Sequence, residues 1–523
     1  MQKTQRILGI LLAGAIGLAG CSSSSSTTDG DKAVPISIYS FDRQNYGNQN
    51  DRVLDAIEKA TGTLISLQTG GWEDTQLDIL MATGSYPDVL TIVDNEKTGR
   101  FNKWIKEESI IPFTDELIEG LPNLQAHLQD PAYDELRING ELYGLPLRDE
   151  LPQGSPGQHV LILRQDWLDK LGLPTPDTLQ QFRDTLIAFR DRDPDGNGVH
   201  DTYGIIGNGL TSLVRNLMGA WGIPIDARST GFLQVGTSYQ YWVIQPEVKE
   251  AIKYVKELYD QQLIQPFTLS AATNVQVRPR FVEGRVGAMF DNANFEELIK
   301  KEEQLKRNFK DARLMEAAAL AGPKGKRGYS VGSGFWGYTV ITDKAKDPKA
   351  AARLLDYLLS DEGNRLTLYG LPDVHYKEDA NRVSLRLDER KNDIGFGSLH
   401  PEAAHELNWG LVSWSRMTEK DYLKFRESST PGFTKVVQDN LERINRYRIE
   451  PASYNLATPL WVSFKSTSDE LTEAYFGKMI MGELDIEEGF SRFVDKWKES
   501  GGAEAMSEMS QALAKSAKTG APE

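Results

Sequence analysis

Ile36-Ser37-Ile38-Tyr39-Ser40-Phe41 opens the stretch that decides the fold. Its apolar residues alternate with polar ones, the period of a strand. From Asp51 to Thr61 the period changes: Val53, Leu54, Ile57 and Ala60 share one helical face, and Gly62 ends it. Residues 64–67 predict a second strand and residues 72–83 a second helix, stopped by Gly84. Pro87-Asp88-Val89-Leu90-Thr91-Ile92-Val93 then reads as a third, buried strand. A β-α-β-α-β opening builds a mostly parallel sheet flanked by helices, an α/β fold. Ligands of such sheets bind beyond the carboxyl ends of the strands. Phe41, Asp42, Arg43 and Asp94 are candidate contacts on that ground alone.

Outward from this stretch, 523 residues are too many for one ordinary core and fit two domains or three. The formal charge of -16 argues against a surface for phosphate backbones, so no nucleic-acid partner is expected. It argues equally against electrostatic docking on acidic lipid. Towards the N-terminus, Lys3 and Arg6 precede an apolar run over residues 7–20 that is too short to span a bilayer as a mature helix. The run ends in Leu18-Ala19-Gly20-Cys21, followed by serines. This resembles a bacterial lipobox, which implies cleavage before Cys21 and a diacylglyceride on its thiol. A second acyl chain turns marginal partitioning into a stable anchor. Residues 1–20 are then a signal peptide and 21–33 a flexible tether with few apolar side chains to bury. Cys21 is the single cysteine, so no disulfide can form within the chain.

Further along, the pattern continues to alternate between the two periods. Residues 139–146 predict a hairpin turn and strand, 160–163 a strand and 164–173 a short helix. Asp177 and Gln180 suggest a capping box for the next helix. That helix leads into Asp193-Pro194-Asp195-Gly196-Asn197-Gly198-Val199-His200-Asp201. Oxygen side chains at every second position, with glycine at the sixth, let a short loop turn its oxygens onto a hard cation. Asp193, Asp195, Asn197, the Val199 carbonyl and Asp201 are the expected ligands. The twelfth position is Gly204, so the bidentate Glu of an EF-hand is missing. Joining a core-packed helix to a strand, the loop is expected to hold a structural Ca2+ that stiffens one domain.

The order of these motifs, with Phe281 to Met289, Gly370 to Tyr376, and Gly482 to Trp497, resembles the large extracellular solute-binding lipoproteins of carbohydrate ABC importers. The calcium-binding alginate-oligosaccharide receptors are similar in size and in carrying such a loop. The resemblance spans nearly the whole mature chain. It implies a two-lobe, periplasmic-binding-protein-like fold with hinge segments and a ligand cleft between the lobes. Residues 34–152 plus 328–380 would form one lobe, and 153–327 plus 381–523 the other. It implies a monomer, anchored by lipid on the extracellular face of the cell membrane, that delivers an oligosaccharide to the transmembrane subunits of an ABC permease.

A sugar receptor uses Trp or Tyr faces against C–H patches and planar polar side chains against hydroxyls. Trp221, Trp336, Trp409, Trp414 and Trp461 fall outside the expected amphipathic helices and are candidate platforms. Trp167 and Trp497 sit on such helices and are expected in the core. In the family a Trp commonly follows the strand matching Val286 to Phe290. Here Asp291, Asn292, Ala293 and Asn294 stand there, with Asp291 and Asn292 as candidate contacts. Arg148 and Arg43 could meet an acidic sugar. A receptor for peptides or another solute is the nearer alternative, and a polysaccharide lyase or glycosidase the more distant. Paired carboxylates are expected by chance in so acidic a chain, and no nucleophile elbow, zinc-protease spacing or phosphate loop supports an enzyme.

Overall fold

A computed structural model of the chain describes residues 33–40, 51–70, 75–93, 100–138, 140–148, 159–223, 225, 231–236, 238–271, 273–330, 335–379, 383–393, 404–412, 419–449 and 458–519. Four strands come first: β1 (Val34–Ser40), β2 (Thr63–Thr69), β3 (Val89–Ile92) and β4 (Leu145–Arg148). β5 (Val160–Arg164), β6 (Tyr203–Ile206), the hairpin β7 (Phe232–Val235) and β8 (Ser238–Tyr241), β9 (Val286–Asp291) and β10 (Leu314–Glu316) follow. β11 (Tyr329–Ser330) pairs with residues 448–449, and β12 (Phe335–Ile341) returns the chain to its starting sheet.

The first sheet has the order β2-β1-β3-β12-β4 and the second β10-β5-β9-β6. β1 runs parallel to β2 and β3, as the opening pattern requires, and β12 enters antiparallel between β3 and β4. Each sheet has its own core. The first packs Ile36, Ile38 and Val89 under the helices Arg52–Thr61 and Pro348–Leu359. The second gathers Leu161, Phe182, Val255, Phe476 and Trp497. A further apolar cluster contains Val160 and Tyr329 together with Leu368, Tyr376 and Phe425, and so joins the two units.

Two expectations shift. The helix after Asp177 begins one residue later, with Thr178 as its cap accepting from the Gln181 amide at 3.1 Å. The boundary expected at 380/381 is also misplaced. Residues 383–393 and 404–412 are bound to the first lobe. Asp393 receives the Arg52 amide at 2.7 Å and its guanidinium at 2.6 Å, and His405 meets Asp51 at 2.9 Å. Leu407, Leu411 and Val412 complete the first core. Buried charges are retained only when paired, and these pairs tie the segment to the start of the first helix.

Candidate functional site

The strand directions decide where a ligand can sit. Ser40, Ile92, Arg148 and Phe335 lie along one edge of the first sheet, because Tyr338 pairs Ile92 and Phe335 pairs Arg148. In the second sheet, Val160 pairs Asp291, so the start of β5 and the end of β9 share an edge. The chain passes from Arg148 to Val160, and back from Ser330 to Phe335, between these two edges. Both passages therefore join the sheets where α/β folds bind ligands.

A small recess opens where these passages leave the second lobe. His159, Arg215, Asn216, Tyr329 and Ser330 contribute its polar wall, and Ile223 and Ile225 its apolar side. The helix Leu210–Leu217 buries Leu213, Val214 and Leu217 in the core and leaves Arg215 and Asn216 to line the recess. Its floor depends on two glycines: a Cβ on Gly219 would lie 1.8 Å from the Gly328 carbonyl oxygen.

His159 is oriented from behind. Its Nε2 lies 3.0 Å from Asn274 Nδ2, which also donates to Asp291 Oδ1 at 3.0 Å. An amide N–H2 can only donate, so His159 accepts at Nε2 and carries its proton at Nδ1. Asp291 is fully buried and saturated. It accepts from Arg278 at 2.8 and 2.9 Å, from the Asn292 amide at 2.9 Å, and pairs with Lys301 at 2.8 Å. Burial alone would raise its pKa, but Lys301 and Arg278 hold it well below the carboxylate range. Asp291 is thus an internal counter-ion that positions the recess, not the ligand contact expected of it.

The other candidates divide. Trp461 is fully enclosed, edge-on to Phe232 at 4.9 Å and against Tyr241 at 4.5 Å. It is a core residue, and its expected stacking role is corrected. Trp221 is packed in the same core, while its neighbours Gly219 and Ile223 line the recess. Trp336 lies on β12 and Trp409 ends the short helix Glu406–Trp409, and Arg148 ends β4. Phe41, Asp42, Arg43, Asp94 and Trp414 lie outside the described residues, as does Cys21. Trp167 and Trp497 are buried as expected, Trp497 donating to Ser468 at 2.8 Å. Sequence reading passed over His159, Arg215 and Ser330. The signal available was the polar pair Arg215-Asn216 between the apolar Leu213-Val214 and Leu217-Met218.

The loop Asp193–Asp201 joins the helix Leu179–Asp191 to β6. Asp193 accepts the amides of Gly196, Asn197 and Gly198 at 3.0–3.1 Å. Gly196 and Gly198 take φ of 76° and 80°, the left-handed region that glycine enters freely. The Asn197 amide bridges Asp195 at 2.9 Å and Asp201 at 3.2 Å. A hydrogen bond from Asp195 and the loop amides hold Asp193 below its ordinary pKa, whereas burial and Asp193 raise Asp195. Among the described residues no three His, Cys, Asp or Glu side chains gather as a ready metal shell. The loop instead offers carboxylates, one carboxamide and backbone carbonyls, the oxygen donors that a hard cation takes.

Two α/β lobes joined by crossing segments, with a polar recess at the joined edges, define a two-domain solute-binding architecture. Sequence comparison agrees: residues 49–365 match the bacterial extracellular solute-binding protein family, and the chain belongs to it. The family and its structural neighbours are binding proteins rather than enzymes. Lipoprotein LipO of Bacillus subtilis is 26% identical over 95% of this chain and 96% of its own length. The polygalacturonan/rhamnogalacturonan-binding protein YtcQ of the same organism is 26% identical over 98% and 99%. Among solved structures, the Streptococcus pneumoniae substrate-binding protein FusA in complex with kestose superposes with a TM-score of 0.69 at 18% identity, over 93% of this chain and 99% of that one. No helix among the described residues is long and apolar enough to cross a membrane.

Proposed function

We propose that this protein captures an oligosaccharide between its lobes, outside the cell, and presents it to the transmembrane subunits of an ABC permease. The observation that carries the reading is the recess at the facing strand edges of a chain that belongs, nearly end to end, with sugar-binding relatives. Ligand binding to both lobes favours the closed arrangement, and differential affinity for that arrangement is what a permease can read. The lipobox supports an anchor at Cys21, and the protein works as a monomer at the end of its tether.

In this reading Asp193, Asp195, Asn197 through its carbonyl, the Val199 carbonyl and Asp201 hold a structural Ca2+. The ion supplies positive charge that offsets the converging carboxylates. The chain's own part is to fix the turn: Lys170 Nζ donates to the Pro194 carbonyl at 2.8 Å, and Asp201 pairs with Arg285 at 3.4 Å. The loop lies away from the recess, which supports a role in stiffening the second lobe.

A thermal-shift panel of oligosaccharides and peptides tests the receptor. Saturation at a hundred times Kd should add about 2.7 kcal/mol of stability. Stabilisation by saccharides with the sugars recovered intact supports it. Stabilisation by peptides alone, or release of shortened or unsaturated sugars, would overturn it.

A further inference from the structure

We propose that His375 and His405, each paired with a buried aspartate, form an acid-sensitive catch that fastens residues 371–379, 383–393 and 404–412 to the first lobe near neutral pH and releases them in acid.

Both rings are held in one form. The Leu371 amide donates to Nδ1 of His375 at 2.9 Å, and the Leu407 amide to Nδ1 of His405 at 3.2 Å. A neutral ring that accepts at Nδ1 carries its proton on Nε2. There His375 donates to Asp393 Oδ2 and His405 to Asp51 Oδ2, each at 2.9 Å. All four side chains are buried. A further proton has only Nδ1 to go to, where an amide hydrogen already points. Taking it up means breaking that bond and turning the ring. Space to turn is short, since a Cβ on Gly370 would lie 2.4 Å from His375 Nδ1.

An aspartate beside a histidine favours the imidazolium, so the other charges facing the rings decide the sign. At His375 the pull of Asp393 is already met by Arg52, whose guanidinium lies 2.6 Å from the same Oδ2 and 3.0 Å from the ring's Nε2. Arg390, fully enclosed, faces the ring as a second cation, and Glu389 lies 3.9 Å from Arg52. Burial, with Arg52 and Arg390 adding to it, pushes His375 below its ordinary 6.5 despite Asp393. At His405 the facing charge is Asp51, which also caps the helix Arg52–Thr61 by accepting the Leu54 amide at 3.0 Å. A segment set free takes the proton that its folded form refuses. The catch is therefore complete above about pH 6.5 and weakens as pH falls from there towards the folded ring's lower value. It also has reach: Thr91 on β3 donates to the Gly410 carbonyl, so release of 404–412 slackens the strand whose Ile92 lies at the joined edge.

Hydrogen exchange of the full chain from pH 7.5 to 5, each rate divided by its intrinsic value at that pH, tests the catch. Peptides covering Leu371 and Leu407 should lose protection by up to roughly tenfold per pH unit below about 6.5. The helix Pro246–Asp260 in the second lobe should keep its own. His375→Asn retains an acceptor for the Leu371 amide and cannot be protonated, so it should flatten the response at Leu371. Arg52→Met removes the opposing cation, leaves Asp393 to favour the imidazolium, and should shrink or invert the response. The slope with pH is the readout, so a variant that starts less protected still reports. Constant protection from pH 7.5 to 5, a loss shared equally by the second-lobe helix, or a wild-type slope in both variants would overturn the catch.

Discussion

Glu316 makes the stability of the second lobe depend on pH in the opposite sense to most carboxylates. It ends β10, fully enclosed, with both carboxylate oxygens lacking a hydrogen-bond partner. Its backbone is held firmly, the amide by Asn440 at 3.1 Å and the carbonyl by Arg443 at 2.7 Å. Burial pushes its pKa up from the ordinary 4.5 to about 8, against the opposing pull of Lys301 and Arg443 and with a smaller push from Asp291. Between those two values the folded protein keeps a proton that the unfolded chain has released. Stability is therefore fully present below the lower value and falls as pH rises towards the upper one. Each pH unit is worth about 1.4 kcal/mol, so the whole window costs on the order of 5 kcal/mol. Glu316→Gln keeps the shape and cannot ionise. Urea unfolding of wild type and variant from pH 5 to 9 should show the variant gaining on wild type by that order as pH rises. The subtraction cancels every other titrating group. Stability curves that stay parallel across the window would refute the reasoning.

Two further outcomes follow from the proposed function. Adding Ca2+ to chelator-treated protein should raise the melting temperature, and Asp195→Ala should abolish the rise without altering saccharide affinity. An unchanged midpoint with calcium and with chelator removes the ion from the loop. For the anchor, Cys21→Ala should move the protein from the membrane fraction to the medium, since a single acyl chain gives only marginal binding and none gives less. Equal membrane recovery of both forms would mean that Cys21 is not lipidated.

Fold and site differed in how far the sequence exposed them. β1, β3 and the helix between them were legible because Ile36, Ile38, Val53 and Ile57 bury apolar side chains at strict strand and helix periods. Trp461 was misread for a physical reason. It lies on the helix Pro459–Met481, whose buried stripe runs through Lys465, Ser468 and Thr472, so hydrophobicity alone shows no period there. Pro459 at the first helical position was the signal that remained. Asp291 stood at the expected strand end, but its partners Arg278 and Lys301 come from neighbouring helices that only the folded chain brings to it. The segment carrying Asp393 and His405 was assigned to the wrong lobe because its ties to Asp51 and Arg52 span more than three hundred residues. The recess is legible least of all, since His159, Arg215 and Tyr329 meet there from distant parts of the chain.

The placing of β12 has a consequence for how this protein can be cut, swapped or rebuilt. β12 is the strand that bonds β3 on one side and β4 on the other, yet it lies beyond all of β5 to β10 in the chain. No contiguous fragment that stops before Phe335 contains a complete first sheet, and none that begins after it contains any other strand of that sheet. The two lobes are thus distinct in space but not modules in the gene. A chimera that exchanged one for the other would need several junctions, one at each place where the chain leaves a sheet and later returns to it.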